Sequence, residues 1–187
     1  MTSALELIRC RDPHHPLMQQ AMTLYRSSFP QHELRLWPDQ EDALQEDAYH
    51  FEFAMLDGRL AGLILYWTLG DMLYIEHFCV MPALRGRGIG QRILALLARQ
   101  GRLTVLEIDP PVDALSIRRK GFYERCGYVA NPFAHVHPPY QTAYAGHELV
   151  LMSHPCAISE AEFDAFTRGL REDVMRFSEG RRGGPSR

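Results

Sequence analysis

The spacing of apolar and polar residues divides the chain into short segments whose period switches between that of a strand and that of a helix. Leu5–Arg9 reads as a short strand, and residues 16–27 set Leu17, Ala21, Leu24 and Tyr25 on one helical stripe that ends before Phe29-Pro30. The polar stretch 39–47 predicts a second helix. Residues 50–56 and 60–69 are apolar runs separated by Asp57-Gly58, a pair that favours positive φ, so they predict a β-hairpin. Met72–Val80 predicts a further strand. A glycine-rich segment follows, after which Ile89, Ile93, Leu94 and Leu97 recur at helical spacing until Gly101 closes the helix.

Further along, Leu103–Ile108 predicts a buried strand, Asp109-Pro110-Pro111 a rigid loop, and residues 114–126 a helix closed by Gly127. Two strands, near residues 128–135 and 147–152, flank a loop rich in proline and tyrosine. In the last segment Ser159 and Glu162 form a capping box and Ile158 and Phe163 a hydrophobic staple. Phe163, Phe166, Leu170, Val174 and Phe177 then make an apolar stripe that packs on the body or on a partner, which leaves a homodimer open. The tail, 179–187, is too polar and glycine-rich to order itself. Hairpins followed by alternating strands and helices predict a mixed sheet covered by helices, an α/β (α+β) domain over residues 1–155 with an added helix at 156–178.

Composition narrows this picture by exclusion. A chain of 187 residues, 46% of them apolar, buries one sizeable core and is short for two domains. Its formal charge of −3, from 20 basic and 23 acidic residues, gives no field suited to nucleic acid or an anionic membrane. Cys10, Cys79, Cys126 and Cys156 are scattered without a C-x-x-C pair, so neither a zinc site nor a disulfide framework is signalled. No basic region followed by an apolar stretch opens the chain, and no apolar run reaches membrane-spanning length. Reduced thiols and a cytoplasmic location are the expectation.

The densest chemical signal is Arg85-Gly86-Arg87-Gly88-Ile89-Gly90-Gln91, where a strand turns into a helix. Glycines there let backbone amides approach a pyrophosphate, the helix start adds its positive dipole end, and Arg85, Arg87 and Arg92 stand near to screen phosphate charge. A tight turn without a ligand is the plain alternative. A P-loop would end in Gly-Lys-Ser or Gly-Lys-Thr, and a dinucleotide fingerprint has another glycine interval, so neither fits.

The spacing Arg85-x-x-Gly88-x-Gly90 resembles the acyl-coenzyme A loop of the Gcn5-related N-acetyltransferases (GNAT), and Phe122-Tyr123-Glu124-Arg125-Cys126-Gly127-Tyr128 resembles that family's second signature. The resemblance implies a mixed, mostly antiparallel sheet of six to seven strands. It implies acetyl-coenzyme A as acyl donor, with Phe78, Cys79 and Val80 along the pantetheine arm, residues 85–91 on the pyrophosphate and Tyr123 protonating the departing thiolate. Ser116 stands two helical turns before Tyr123, where related sequences commonly carry a cofactor-contacting Asn.

An ammonium must lose a proton before it attacks a thioester. Glu76 and Glu107 interrupt apolar strands and are the candidate bases, with a water relay as the alternative; in some relatives acting on protein N-termini the glutamate matching Glu107 has that role. Strand alternation groups Glu76 with Tyr74 and Phe78 and points His77 the other way. His135-x-His137 has strand spacing able to bind metal, but no neighbouring Cys or carboxylate completes a set, so no metal is expected. Acceptor contacts are expected from residues 29–37 and 132–144, with Phe29, Glu33, Trp37 and Tyr140 as candidates and Tyr144 as a further flat surface. The expected activity is direct acetyl transfer to a primary amine of a small molecule, with Cys79 and Cys126 not acting as nucleophiles. The rivals are a protein N-terminal or lysine acetyltransferase and a non-catalytic acyl-coenzyme A sensor.

Overall fold

The computed structural model describes residues 4–181. In chain order the elements are β1 (Leu5–Arg9), α1 (Met18–Ser28), α2 (Trp37–Leu44), β2 (Tyr49–Leu56), β3 (Arg59–Leu69), β4 (Met72–Val80), α3 (Ile89–Ala98), β5 (Leu103–Ile108) and α4 (Ala114–Arg125). The short strands β6 (Val129–Ala130), β7 (Val136–His137) and β8 (His147–Glu148) follow, then β9 (Val150–His154) and α5 (Glu160–Gly169). Seven strands form one sheet in the order β1-β2-β3-β4-β5-β9-β6, and β7 pairs with β8 in a ribbon of its own. Every neighbour in the large sheet is antiparallel except β4 with β5. Among the described residues no helix is long and apolar enough to cross a membrane.

The sheet separates two apolar layers. One contains Tyr25, Phe51, Phe53, Trp67, Tyr74 and Phe166, under α1, α2 and the C-terminal helix. The other contains Ile64, Leu73, Ile75 and Leu106 beneath the α3 stripe Ile89, Ile93, Leu94 and Leu97. Fully burying each such side chain contributes about 1.5–3 kcal/mol, which fixes the helices to their faces. Phe166 and Val174 have no exposed surface, so the C-terminal stripe packs on this domain. The helix passes through a wider turn at Leu170–Val174 and ends at Phe177. Beyond it, Glu179 accepts from the amide and hydroxyl of Thr142, while the remaining tail, 182–187, lies outside the described residues.

Two departures from the sequence pattern shape the site. The strand expected at 128–135 is cut short to β6, Val129–Ala130, with β7 following at Val136–His137 in the other sheet, because Pro132 has no amide to donate and Asn131 turns inward, bonding the Leu151 carbonyl, Ser153 and the Ile158 amide. In β4, Leu65 of β3 faces His77 and Tyr66 faces Ile75, leaving Glu76 as an extra residue, a β-bulge. The bulge resets the alternation. Glu76 and His77 both meet residues of the α1 side, Arg35 and Tyr140 for the first and Tyr25 and Phe29 for the second, whereas Phe78 turns to Phe122 on α4. The grouping of Glu76 with Phe78, opposite His77, is therefore corrected by the bulge.

Candidate active site

The parallel pairing of β4 with β5 runs only from Met72↔Leu103 to Ile75↔Leu106. Past that point the strands part. The β4 edge from Glu76 to Val80 has no strand beside it on the β5 side, and unpaired backbone groups there are available to an extended ligand. The gap opens into a cavity of about 990 Å³ that is lined by both strand ends, by residues 84–86 and 88–91, and by Tyr123.

At the loop end of the cavity, Gly86 and Gly88 have φ of +74° and +73°, a left-handed backbone that glycine adopts without strain. Gly90 is required for a different reason: a Cβ there would stand 3.1 Å from the Phe122 ring and 3.4 Å from Phe78. Gly88 is the residue before α3, so the free first-turn amides of that helix open beside the cavity. Arg85 lines the wall and donates to the Val80 carbonyl at 3.1 Å, whereas Arg87 is exposed and lies off the wall. Ser116 also departs from expectation. It is buried, reciprocates hydrogen bonds with Asp113 as the cap of α4, and does not line the cavity.

Deeper in, Tyr123 is buried to 8% exposure, and desolvation raises its phenol well above the ordinary tyrosine range. Phe29, Glu33 and Tyr140 line this end. Trp37 does not: it starts α2 and packs against the α1-side core. Cys79 is buried in the wall, and burial pushes its thiol up to about 11.

The two candidate carboxylates have unlike surroundings. Glu76 receives Arg35 Nη1 at 2.5 Å on one oxygen and the Tyr140 hydroxyl at 2.5 Å on the other. Burial alone would raise its pKa, but the Arg35 charge and His77 outweigh it and hold the carboxyl far below the usual range. Arg35 is itself buried, donates to the Phe177 and Val174 carbonyls, and lies against the rings of Tyr49, Trp67 and Tyr140. Sequence reading missed it; its only signal is a charge set among Leu34, Leu36 and Trp37.

Glu107 accepts from the Tyr74 hydroxyl and contacts His135 Nε2, with His137 Nε2 3.9 Å away. Burial raises its pKa, and His137, His135 and Tyr74 together bring it below the ordinary value. The sequence expectation that no carboxylate neighbours His135-x-His137 is thus corrected by the sheet, which brings Glu107 to both. His137 Nδ1 lies 2.6 Å from the Pro138 carbonyl, which places a proton on Nδ1; Nε2, 3.3 Å from the Tyr140 oxygen and 3.9 Å from Glu107, is the ring nitrogen left to accept one. His77 has the reverse arrangement, with Nε2 on the Glu33 carbonyl at 3.0 Å and Tyr25 and Phe29 edge-on to its ring.

A family model described as "Acetyltransferase (GNAT) family" matches residues 15–128, a span that includes the glycine loop, the splayed strands and Tyr123. The chain belongs to the GNAT acetyltransferases. Its fold is similar to that of a protein from Bacteroides thetaiotaomicron assigned to the GNAT family, at 28% identity and a TM-score of 0.82 over 92% of this chain and 98% of that one. The Escherichia coli ribosomal-protein-S18-alanine N-acetyltransferase shares the fold at 17% identity and a TM-score of 0.56, over 83% and 96% of the two chains. An aminoglycoside 6′-N-acetyltransferase solved with coenzyme A does so at 16% and 0.56, over 79% and 95%. No curated protein sequence matches significantly. The glycine loop, the free β4 edge and Tyr123 line one cavity, and the GNAT family uses acetyl-coenzyme A as acyl donor.

Proposed function

We propose that this GNAT chain transfers acetyl from acetyl-coenzyme A to a primary amine of a small molecule by direct attack in a ternary complex. The observation that carries the reading is that Tyr123 and Glu107 line the same cavity as the glycine loop. The pyrophosphate would lie on the amides of residues 86–90, with Arg85 beside it, and the pantetheine arm along the free edge of Phe78, Cys79 and Val80. The thioester then lies between an acid and a base.

In the transfer, the Glu107 and His137 pair takes the ammonium proton, with His137 Nε2 as the acceptor atom and Glu107 stabilising the imidazolium that forms. The amine lone pair forms the N–C bond, the C–S bond breaks, and Tyr123, kept protonated by its burial, gives a proton to the departing thiolate; the extra proton on the new amide nitrogen returns through water to the Tyr123 oxygen, and the His137 imidazolium releases its proton to solvent. Glu76 is reassigned from base to scaffold, since both its oxygens are occupied. Cys79 supports the direct route, because a thiol pushed up to about 11 is ionised in only about one molecule in ten thousand at pH 7. Phe29, Glu33 and Tyr140 would bound the acceptor.

Thiol release from acetyl-coenzyme A across a panel of primary amines, with mass spectrometry of the acceptor, tests the reading. Amine-dependent release with one acetyl added to the acceptor is expected. Binding of acetyl-coenzyme A with no release for any amine would leave the sensor reading, and a stable acetyl-cysteine formed without acceptor would overturn direct attack.

A further inference from the structure

His32 and Glu33 occupy the single helical turn Gln31–Glu33 between α1 and α2, and His147 begins β8. The fold brings one ligand atom from each within 4.8 Å of the others, a set that forms the only such group of three among the described residues. His32 Nε2 is 3.8 Å from Glu33 Oε1, and the His32 and His147 rings meet edge to face at 5.2 Å between centroids. Glu33 and His147 both line the cavity wall.

Acetyl transfer, as proposed above, sets Glu33 beside the acceptor and gives His32 and His147 no task. Two further observations point to a ligand. His147 Nε2 is buried and has no hydrogen-bond partner, a state costly for a ring nitrogen unless something outside the protein satisfies it. The turn carrying the other two residues is also held in place before any ligand arrives: His77 Nε2 donates to the Glu33 carbonyl at 3.0 Å, and the Gln141 amide donates to the Gln31 and Leu34 carbonyls at 3.0 and 2.9 Å. On the other side Gly146, next to His147, has its Cα hard against the neighbouring strand, where a Cβ would be 2.7 Å from the His137 carbonyl oxygen.

We propose that His32, Glu33 and His147 bind a divalent transition-metal ion of the zinc class at the acceptor end of the cavity. Two imidazoles and one carboxylate are a donor set suited to such ions and leave at least one coordination position for water or an exchangeable ligand. Metal–ligand distances near 2.0–2.2 Å bring ligand atoms to about 3–3.6 Å from one another, so the separations here close with side-chain rotations of roughly an ångström and no movement of the pinned backbone. Hard cations such as magnesium, which favour oxygen donors, are disfavoured by the two nitrogens. The site shares the cavity with Tyr123 and Glu107, the His147 and His137 rings lying 6.1 Å apart between centroids, but its three ligands are other residues and its existence does not depend on the acetyl-transfer reading.

Untagged full-length protein titrated with Zn²⁺ against a competing chelator, and with Co²⁺ followed by visible absorption, tests this. One bound Zn²⁺ per chain is expected, with His147→Ala and Glu33→Gln each weakening it by at least about tenfold. His32→Ala, at a ring more accessible to solvent, should do the same without disturbing the fold, so it decides the matter should His147→Ala fail to fold. Co²⁺ should give visible bands of nitrogen and oxygen ligation. No stoichiometric binding by the wild type, unchanged affinity in His32→Ala and Glu33→Gln, or the intense near-ultraviolet bands of a thiolate–Co²⁺ site would each overturn the proposal.

Discussion

Glu76 and Glu107 are the same residue type on adjacent strands, both removed from water and both beside the same cavity, yet their neighbourhoods have opposite characters. Glu76 is locked by a guanidinium that cannot give up its proton, and a tyrosine closes its second oxygen. Glu107 faces two imidazoles and a phenol, neutral-capable groups whose ring nitrogens and hydroxyl can hand a hydrogen bond to the carboxylate without fixing a charge beside it. A buried carboxylate paired with arginine is a structural joint; one paired with histidine can take part in proton transfer. Burial alone does not distinguish a base from a brace, and the partner does.

The largest expected effect is on Glu107. Glu107→Gln should lower kcat by about 10²-fold or more, because it removes the charge that stabilises the imidazolium formed when His137 Nε2 takes the proton, with a smaller fall in melting temperature than Glu76→Gln gives because the amide still accepts from Tyr74. Steady-state kinetics beside thermal melting would break the comparison if the rate held and the stability fell.

Glu76→Gln should do the converse. It strands a buried Arg35 charge, which costs about 3–5 kcal/mol, or roughly 10 °C in Tm for a chain of this size, while turnover per folded molecule stays within about threefold. The double variant Arg35→Met/Glu76→Gln should recover much of that loss in a double-mutant cycle, since no unpaired charge remains. Equal losses in the single and double variants would show that the pair is not what holds this region.

Tyr123→Phe removes the proposed acid without touching either carboxylate, and a fall in kcat of about 10–100-fold is expected, with KM for acetyl-coenzyme A little changed. Unchanged kcat across pH would assign thiolate protonation to water. Gly86→Ala, at a left-handed φ with open space around it, should cost about 1–2 kcal/mol and raise KM for acetyl-coenzyme A by about tenfold with kcat preserved.

The smallest effect is a pH dependence. Both carboxyls have folded pKa values below the ordinary value near 4.3, so the unfolded chain binds more protons than the folded one as the pH falls. Their stabilisation is complete above that pH and is lost progressively below it. Urea melts between pH 7 and pH 3 should show this loss, and Glu76→Gln should flatten the acid limb more than Glu107→Gln does, because Glu76 is the more strongly shifted of the two.

What the sequence determined is what neighbours along the chain decide. Glycines at 86 and 88 are needed by local backbone angles, the α3 stripe by a helical period, and the Ser159–Glu162 cap by groups three residues apart, so all were legible. The limits of β4 and β5 were legible too, as apolar runs bounded by turn residues. The direction of the side chains within β4 was not, because the bulge at Glu76 arises from register against β3. Ser116 and Trp37 read as cavity residues from position alone, and local capping and core packing place them elsewhere. The partners that give each carboxylate its character come from distant segments: Arg35 stands 41 positions from Glu76, and His135 stands 28 from Glu107. Only the closed sheet, with β9 beside β5 and the turn before α2 folded over β4, selects those meetings. A side chain's chemistry follows from its neighbours in space, which no period along the chain encodes.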